Sequence, residues 1–383
     1  MSRIKNVNGK KDRTKKWMVT AFFALLLGPN LVVPFVTNAD SYEQTERLEK
    51  RKLAEFPTFS TSNFTEYPKK MDQYINDHAA FRNSFLSLNS SLNLKLFDYA
   101  DGEDVLKGKD GWYFFTGGAS IPDALGTNRF SEGDLNYINS CIQKTADYFR
   151  SQGIEFLVVL PPNKEDVYRE YLPAGYDRVS DVLKGEELSA YIQTHSDVPV
   201  VDPREYLKTN KDYSWYFKTD THWNDAAGFV TSQMIIDALG GTPTSIDDVT
   251  VTYRPCKAGD LANLFHMPES LAQDTSPVIE GYLSNTQTSL TDPLGNGGIV
   301  YAETTNAPDP RHIAFYRDSF GTAISNILPK YFEHVDFYHW QSFDASMLDE
   351  RRPDVVVYEI VEREEGRIPD DMHALAPEAF DNK

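Results

Sequence analysis

The sequence predicts an α/β protein: a three-layer α/β/α sandwich around a mainly parallel sheet, preceded by a membrane helix and a helical stem. Three observations predict it. Short apolar runs such as Ile154 to Leu160 pass almost without polar interruption, as strands buried on both faces do. Amphipathic helical stretches alternate with those runs, which is the pattern of a parallel sheet covered on both sides. A basic head followed by an apolar stretch stands at the N-terminus.

Residues 1–16 are a basic tail. Arg3, Lys5, Lys10, Lys11, Arg13, Lys15 and Lys16 stand there against Asp12 alone. Residues 17–38 hold an apolar run of about 20 residues, long enough to span a bilayer as a helix, although Gly28, Pro29 and Pro34 weaken its far half. The basic flank puts the N-terminal side in the cytoplasm and exports the body. The run exceeds the ~7–15 residues of a signal-peptide core, which favours a single-pass signal-anchor over cleavage at Thr37-Asn38-Ala39. Residues 39–100 form a stem. It opens with the mixed-charge run Glu46 to Lys52. Then Met71, Tyr74, Ile75, His78, Phe81, Phe85, Leu88 and Leu92 recur at three- and four-residue steps and predict one amphipathic helix. His78 lies on its apolar stripe as a packed side chain.

Residues 101–383 are the α/β domain. Val105 to Phe115 reads as a turn entering an aromatic strand. Ser131 with Asp134 caps a helix whose inner face is Leu135, Ile138, Ile142, Ala146 and Phe149, and Gly153 ends it. The strand Ile154 to Leu160 stops at Pro161-Pro162-Asn163-Lys164. Further strands are expected at Val198 to Val201, His312 to Tyr316, His334 to Tyr338 and Asp354 to Ile360. Helices are expected at Leu183 to Ile192 and Asp225 to Leu239. Residues 241–310, richer in Pro, Thr, Ser and Asn, read as an insertion or long loops.

Hydrophobic residues make up 40% of the 383-residue chain and charged residues 25%, so it is globular rather than disordered. Beyond residue 17 there are 31 basic and 56 acidic residues, a net charge of −25. So acidic a body argues against nucleic acid as a partner and is compatible with a neutral glycan. The two cysteines, Cys141 and Cys256, do not make a disulfide scaffold; they form one bridge or are simply buried. No Cys/His spacing matches a zinc site.

The chemistry centres on Thr219-Asp220-Thr221-His222-Trp223-Asn224. In an extended segment, side chains two apart leave the same face, so Asp220 and His222 can be presented together as orienter and base. Ser319, in Asp318-Ser319-Phe320-Gly321, supplies a nucleophile. It follows the expected strand His312 to Tyr316 and precedes a short helix, Thr322 to Leu328. In a parallel sheet that is the ligand-binding edge, and the Ser319 N–H there can help hold an oxyanion. Each residue also has an ordinary reading: Asp-Ser caps helices, and Asp-Thr-His fits a capped loop.

These residues resemble the signature of the SGNH hydrolase-like proteins of alginate O-acetylation, AlgJ and AlgX, and of the related DHHW proteins of Gram-positive bacteria. Arg51 to Pro57, Tyr74 to Arg82, Gly108 to Phe115, Pro161 to Lys164, Gly259-Asp260-Leu261 and Asp318 to Gly321 resemble further marks in the same order. The resemblance implies a permuted SGNH fold with Asp220 as orienter, His222 as base and Ser319 as nucleophile. Arg317 departs from the usual Gly before Asp-Ser, and is a candidate for shaping the acceptor site. Asn163 is the candidate oxyanion donor, at the end of a strand that could neighbour that of Ser319. A turn residue is its equal alternative. Lys164 reads as a surface or structural charge. Trp223 stacks on a sugar or packs beneath His222, with packing favoured.

The expectation is a membrane-anchored, extracytoplasmic O-acetyltransferase without metal or cofactor. Its acceptor would be an exopolysaccharide or cell-wall polymer, and a membrane-bound O-acyltransferase partner would supply the acyl group. The alternatives are a carbohydrate esterase using the same triad and a non-catalytic glycan-binding scaffold.

Overall fold

The computed structural model describes residues 15–24, 42–43, 45–46, 49, 51–60, 64–99, 104–268 and 270–381. They fall into two units, one running to Asp98 and including Asn263–Pro268, the other comprising Tyr99–Ala262 and the chain after Pro268. Residues 15–24 are helical with exposed side chains. The rest of the expected membrane segment, residues 25–38, lies outside the described residues, as do residues 1–14 of the tail and much of the stem before residue 51. Among the described residues no helix is long and apolar enough to cross a membrane.

In the first unit the single expected helix is two, α1 (Tyr67–Asp77) and α2 (Arg82–Leu92). The break comes where Phe81 adopts a left-handed φ of 60°, which a helix interior does not tolerate. Asp77, the last residue of α1, accepts from the Arg51 guanidinium at 2.6 Å and from the Ala54 N–H at 2.8 Å. His78 stacks on Tyr74, ring centroids 4.1 Å apart. The expected apolar stripe is not buried: Ile75, Phe81, Phe85 and Leu88 are exposed.

In the second unit β1 (Val105–Lys107) and β2 (Tyr113–Phe115) form an antiparallel hairpin. The main sheet uses β3 (Glu155–Val159) and β4 (Val200–Val201). A separate antiparallel pair is β5 (Thr250–Cys256) with β6 (Asp274–Glu280). The main sheet continues with β7 (Gln287–Thr291), β8 (Ile299–Thr305), β9 (Asp309–Arg317), β10 (Phe332–His339) and β11 (Val355–Glu359). Its order is β4-β3-β11-β9-β10-β8-β7. The pairs from β4 to β10 are parallel; β8 and β7 add an antiparallel edge. Residues 241–310 are therefore not only loops. Their strands were hidden because they are polar: all five residues of β7 are exposed, and a solvated edge strand leaves no apolar run.

Side chains alternate across the central strands into two cores, as the two-residue period of a strand requires. Leu157, Val159, Ile313, Phe315, Val355 and Val357 face one core. Phe156, Val158, Ala314, Tyr316, Val356 and Tyr358 face the other. Helices α3 (Glu132–Ser151) and α4 (Lys184–His195) cover the second core with their apolar faces, while α5 (Asp225–Ala238) covers the first. Ser131 and Asp134 form the expected capping box of α3. After β9 the short α6 (Gly321–Ser325) packs into the first core, whereas after β11 helix α7 (Ile368–Leu375) packs into the second. Adjacent strands whose connections leave to opposite faces open a crevice at their carboxyl ends, where ligands of open α/β sheets bind.

Candidate active site

The loop carrying Asp220 and His222 is built by capture of its polar groups. It is not the extended segment expected from the spacing; Tyr216 and Trp223 bridge across its base. The Thr219 N–H and Oγ1 donate to Asp274 Oδ2 at 2.7 and 2.9 Å. The Thr221 N–H and Oγ1 donate to the Asp260 carboxylate, each at 2.7 Å. Asp220 Oδ1 accepts from the His222 N–H at 2.9 Å, and Oδ2 accepts from the Asp260 N–H at 2.9 Å. Gly259 lets this second strand of chain come close: a Cβ there would lie 2.3 Å from Asp220 Cβ.

Two contacts, one from Trp223 and one from the helix α5 that Asn224 caps, bind this loop to the Ser319 turn and α6. The Trp223 indole N–H donates to Phe320 O at 2.7 Å. Asn224 caps α5, its side chain accepting from the Ala226 N–H. Gly228 of α5 abuts α6 so closely that a Cβ would stand 2.6 Å from the Ala323 backbone. The Ser319 turn is itself held by carboxylates. Asp318 accepts from the Phe320 N–H at 2.7 Å and the Val361 N–H at 2.8 Å. Glu359 accepts from the Asp318 N–H at 3.1 Å. Burial first, and the Asp318 charge second, push the Glu359 carboxyl well up, which keeps it protonated.

Ser319 Oγ, on an exposed residue, lies 2.8 Å from His222 Nε2, and Asp220 Oδ1 lies 2.5 Å from Nδ1. Burial opposes the Asp220 charge, but the hydrogen bond and charge of His222 outweigh it and hold this carboxyl far below the ordinary range. An ionised Asp220 can only accept. Nδ1 therefore carries the ring proton of neutral His222 and leaves the Nε2 lone pair for the serine hydroxyl. Asp220, His222 and Asp260 bring donor atoms within 4.8 Å of one another, but these bonds already occupy them, which suits a proton relay better than a cation. Since α6 has only five residues, its dipole adds little at Ser319.

The remaining expected residues divide. Trp223 is 2% exposed with its N–H engaged, so it packs and presents no face to a sugar. Arg317 is buried too: its guanidinium donates to Asp318 O, Thr322 Oγ1 and Gly297 O, supporting the turn from within. Asn163 is not on a strand next to that of Ser319, because β11 lies between β3 and β9. It does end at the same edge. Its N–H donates to Glu362 Oε2 at 2.9 Å, its Oδ1 accepts from Arg363 at 3.4 Å, and its buried Nδ2 has no partner among the described residues. Arg363 in turn lies over the Phe320 ring at 5.0 Å.

Lys164 is not a surface charge. It is 1% exposed, and its ammonium donates to the carbonyls of Phe217 (3.2 Å), Lys218 (3.4 Å) and Asp220 (2.5 Å). Sequence reasoning gave no role to Asp260 or Glu359. Glu359 had left a signal, a lone carboxylate inside the apolar run Val355 to Ile360. Cys141 and Cys256 are both free thiols.

Residues 105–291 match the family model of the SGNH hydrolase-like domain of acetyltransferase AlgX. Among solved structures, PatB1 of Bacillus cereus is similar over 70% of this chain and 98% of its own, with 18% identity and a TM-score of 0.53. The same protein with a sulfonyl adduct matches with a TM-score of 0.50 at 17% identity, over 70% and 98% of the two chains. A DHHW family protein from Eubacterium siraeum does so at 16% identity and a TM-score of 0.50, with the same coverage. At these identities the likeness is one of fold. No curated protein sequence matches the chain. The family match spans residues 105–291, just under half of the chain, and over that stretch the chain is similar to the SGNH hydrolase-like domain of AlgX; the likeness to PatB1 and the DHHW protein agrees with it in fold.

Proposed function

We propose that this chain is an extracytoplasmic O-acetyltransferase that modifies a polysaccharide, with Ser319 as nucleophile, His222 as base and Asp220 as orienter. The observation that carries the reading is the unbroken chain of contacts from Asp220 Oδ1 through both ring nitrogens of His222 to Ser319 Oγ. The family match to an acetyltransferase domain supports the transferred group.

His222 Nε2 takes the hydroxyl proton as Ser319 Oγ bonds to the acyl carbon. The resulting imidazolium is stabilised by Asp220 and returns the proton to the departing oxygen of the donor. A sugar hydroxyl then gives its proton to Nε2 as its oxygen attacks the Ser319 ester, and Oγ takes the proton back as the product leaves. The unpartnered Asn163 Nδ2 and the Ser319 N–H are the candidate donors to the oxyanion in both halves.

The N-terminal basic tail and the apolar run over residues 17–38 support a membrane-anchored protein whose acidic body works outside the cytoplasm. A membrane-bound O-acyltransferase partner would deliver the acyl group, as the family resemblance implies. The exposure of Ser319 favours a second reading, an esterase that passes the acyl group to water. The two separate when purified chain receives an activated acetyl ester with and without oligosaccharide. Acetylated sugar is expected; acetate release at a rate no acceptor changes would leave the esterase.

A further inference from the structure

Trp223 cannot meet a sugar, yet the second unit has one tryptophan that can. Of its four described tryptophans, Trp112, Trp215 and Trp223 are at most 3% exposed, whereas Trp340 is 36% exposed. The parallel register of β10 on β9 ends with His339 opposite Arg317. The Trp340 N–H then donates to Arg317 O at 3.0 Å. The Trp340 backbone thus lies beside Arg317, two residues before Ser319, at the carboxyl end of the neighbouring strand.

One face of the ring is already taken. The Arg367 guanidinium lies over it at 4.3 Å, and its Nε is bonded to both oxygens of Asp371 at 3.1 and 3.0 Å. A cation fixed behind the ring holds its orientation and leaves the other face and edge as the exposed part. The segment after β11 that contributes Arg367 also contributes Arg363, which stands over the ring of Phe320, the residue after Ser319. Among the described residues Arg363 has no carboxylate in ion-pair contact, and it can meet a hydroxyl or carboxylate of a bound sugar. A flat apolar ring and a polar donor at the sheet edge that carries the nucleophile are the materials of a small-ligand subsite.

We propose that Trp340 is the platform of a glycan acceptor subsite, stacking the apolar face of a pyranose ring so that a hydroxyl of the same or the next sugar unit reaches Ser319. This rests on the acyltransferase reading for its consequence, but binding itself can be read without turnover.

The full-length chain carrying Ser319→Ala is titrated with hexasaccharides of N-acetylglucosamine and, separately, of a uronic acid, following indole emission and heat. At least one glycan is expected to bind and alter the emission. Trp340→Ala should weaken binding about tenfold or more, and Trp340→Phe, which keeps a smaller ring for stacking, by about threefold. Thermal unfolding of each variant separates this from loss of fold. With Ser319 intact, Trp340→Ala should raise KM for the glycan more than it lowers kcat. Unchanged affinity in Trp340→Ala, equal losses in both variants, or no binding of either glycan overturns the subsite. A chain that binds glycan through Trp340 but never acetylates Ser319 would sink the acyltransferase reading instead.

Discussion

Asp220 Oδ1 meets His222 twice, at the backbone N–H and at Nδ1, and so fixes both the position and the tautomer of the ring. Asp220→Asn should therefore lower kcat by about 10⁴ with little change in fold, because an amide N–H directed at Nδ1 reverses the ring proton. Asn163→Ala should cost about 10²–10³ in kcat, the effect of losing one oxyanion donor, with KM for the donor ester nearly unchanged. Glu359 gives a stability prediction. Its folded carboxyl titrates well above the 4.5 of the free group, so above about pH 4.5 the folded chain keeps a proton that the unfolded chain releases. Its contribution to stability therefore falls as pH rises. Glu359→Gln should raise Tm by a few degrees at about pH 8 and converge with the parent at about pH 4.5. At this scale the sequence told much about Asp220, His222 and Ser319, because each lies in a short motif whose chemistry is local. The partners of Asn163, 199 and 200 positions away in the chain, were beyond it.

At the site the end of β3 also meets the loop leading into α5. Lys164 ties them by donating to three loop carbonyls. Burial pushes its ammonium down to about 8 against the pull of Glu165, Asp220, Asp260 and Asp274. Above that pH the amine has one fewer proton to donate and the loop loosens, so kcat should fall there. Stability should move the other way: a lysine held low adds to stability as pH climbs from about 8 towards 10.5. Lys164→Met should remove this alkaline limb from the pH–rate profile and lower kcat throughout. A profile that keeps the limb would assign it to another group. Gly228→Ala tests the α5–α6 contact; with a Cβ 2.6 Å from the Ala323 backbone it should cost about 1–3 kcal/mol and lower kcat by moving His222 from Ser319. The parallel strands and their helices were legible because buried elements carry long apolar patterns. The polar strands β5 to β8 were not, and neither was the break at Phe81, where a left-handed residue divides a continuous stripe.

For the whole molecule, charge and fold point the same way. An acidic body with an α/β crevice at the carboxyl edge of its sheet suits a neutral or cell-surface glycan better than a nucleic acid. The proposed topology can be checked directly. A reporter fused after residue 383 should be active outside the cytoplasm and remain with the membrane fraction, and removing residues 1–38 should release or mislocalise it. The architecture was largely readable from alternating strand and helix patterns, but the strand order was not: β11 enters between β3 and β9 through pairings that no local pattern encodes. The central claim is that Ser319 carries the acyl group between donor and sugar. Its most direct test is mass spectrometry of the chain after brief exposure to an activated acetyl ester, followed by a glycan chase. One acetyl group on the Ser319 peptide, absent in Ser319→Ala and passed to the glycan in the chase, is the expected result. Equal labelling of Ser319→Ala, or no label on Ser319 at any time, would contradict it.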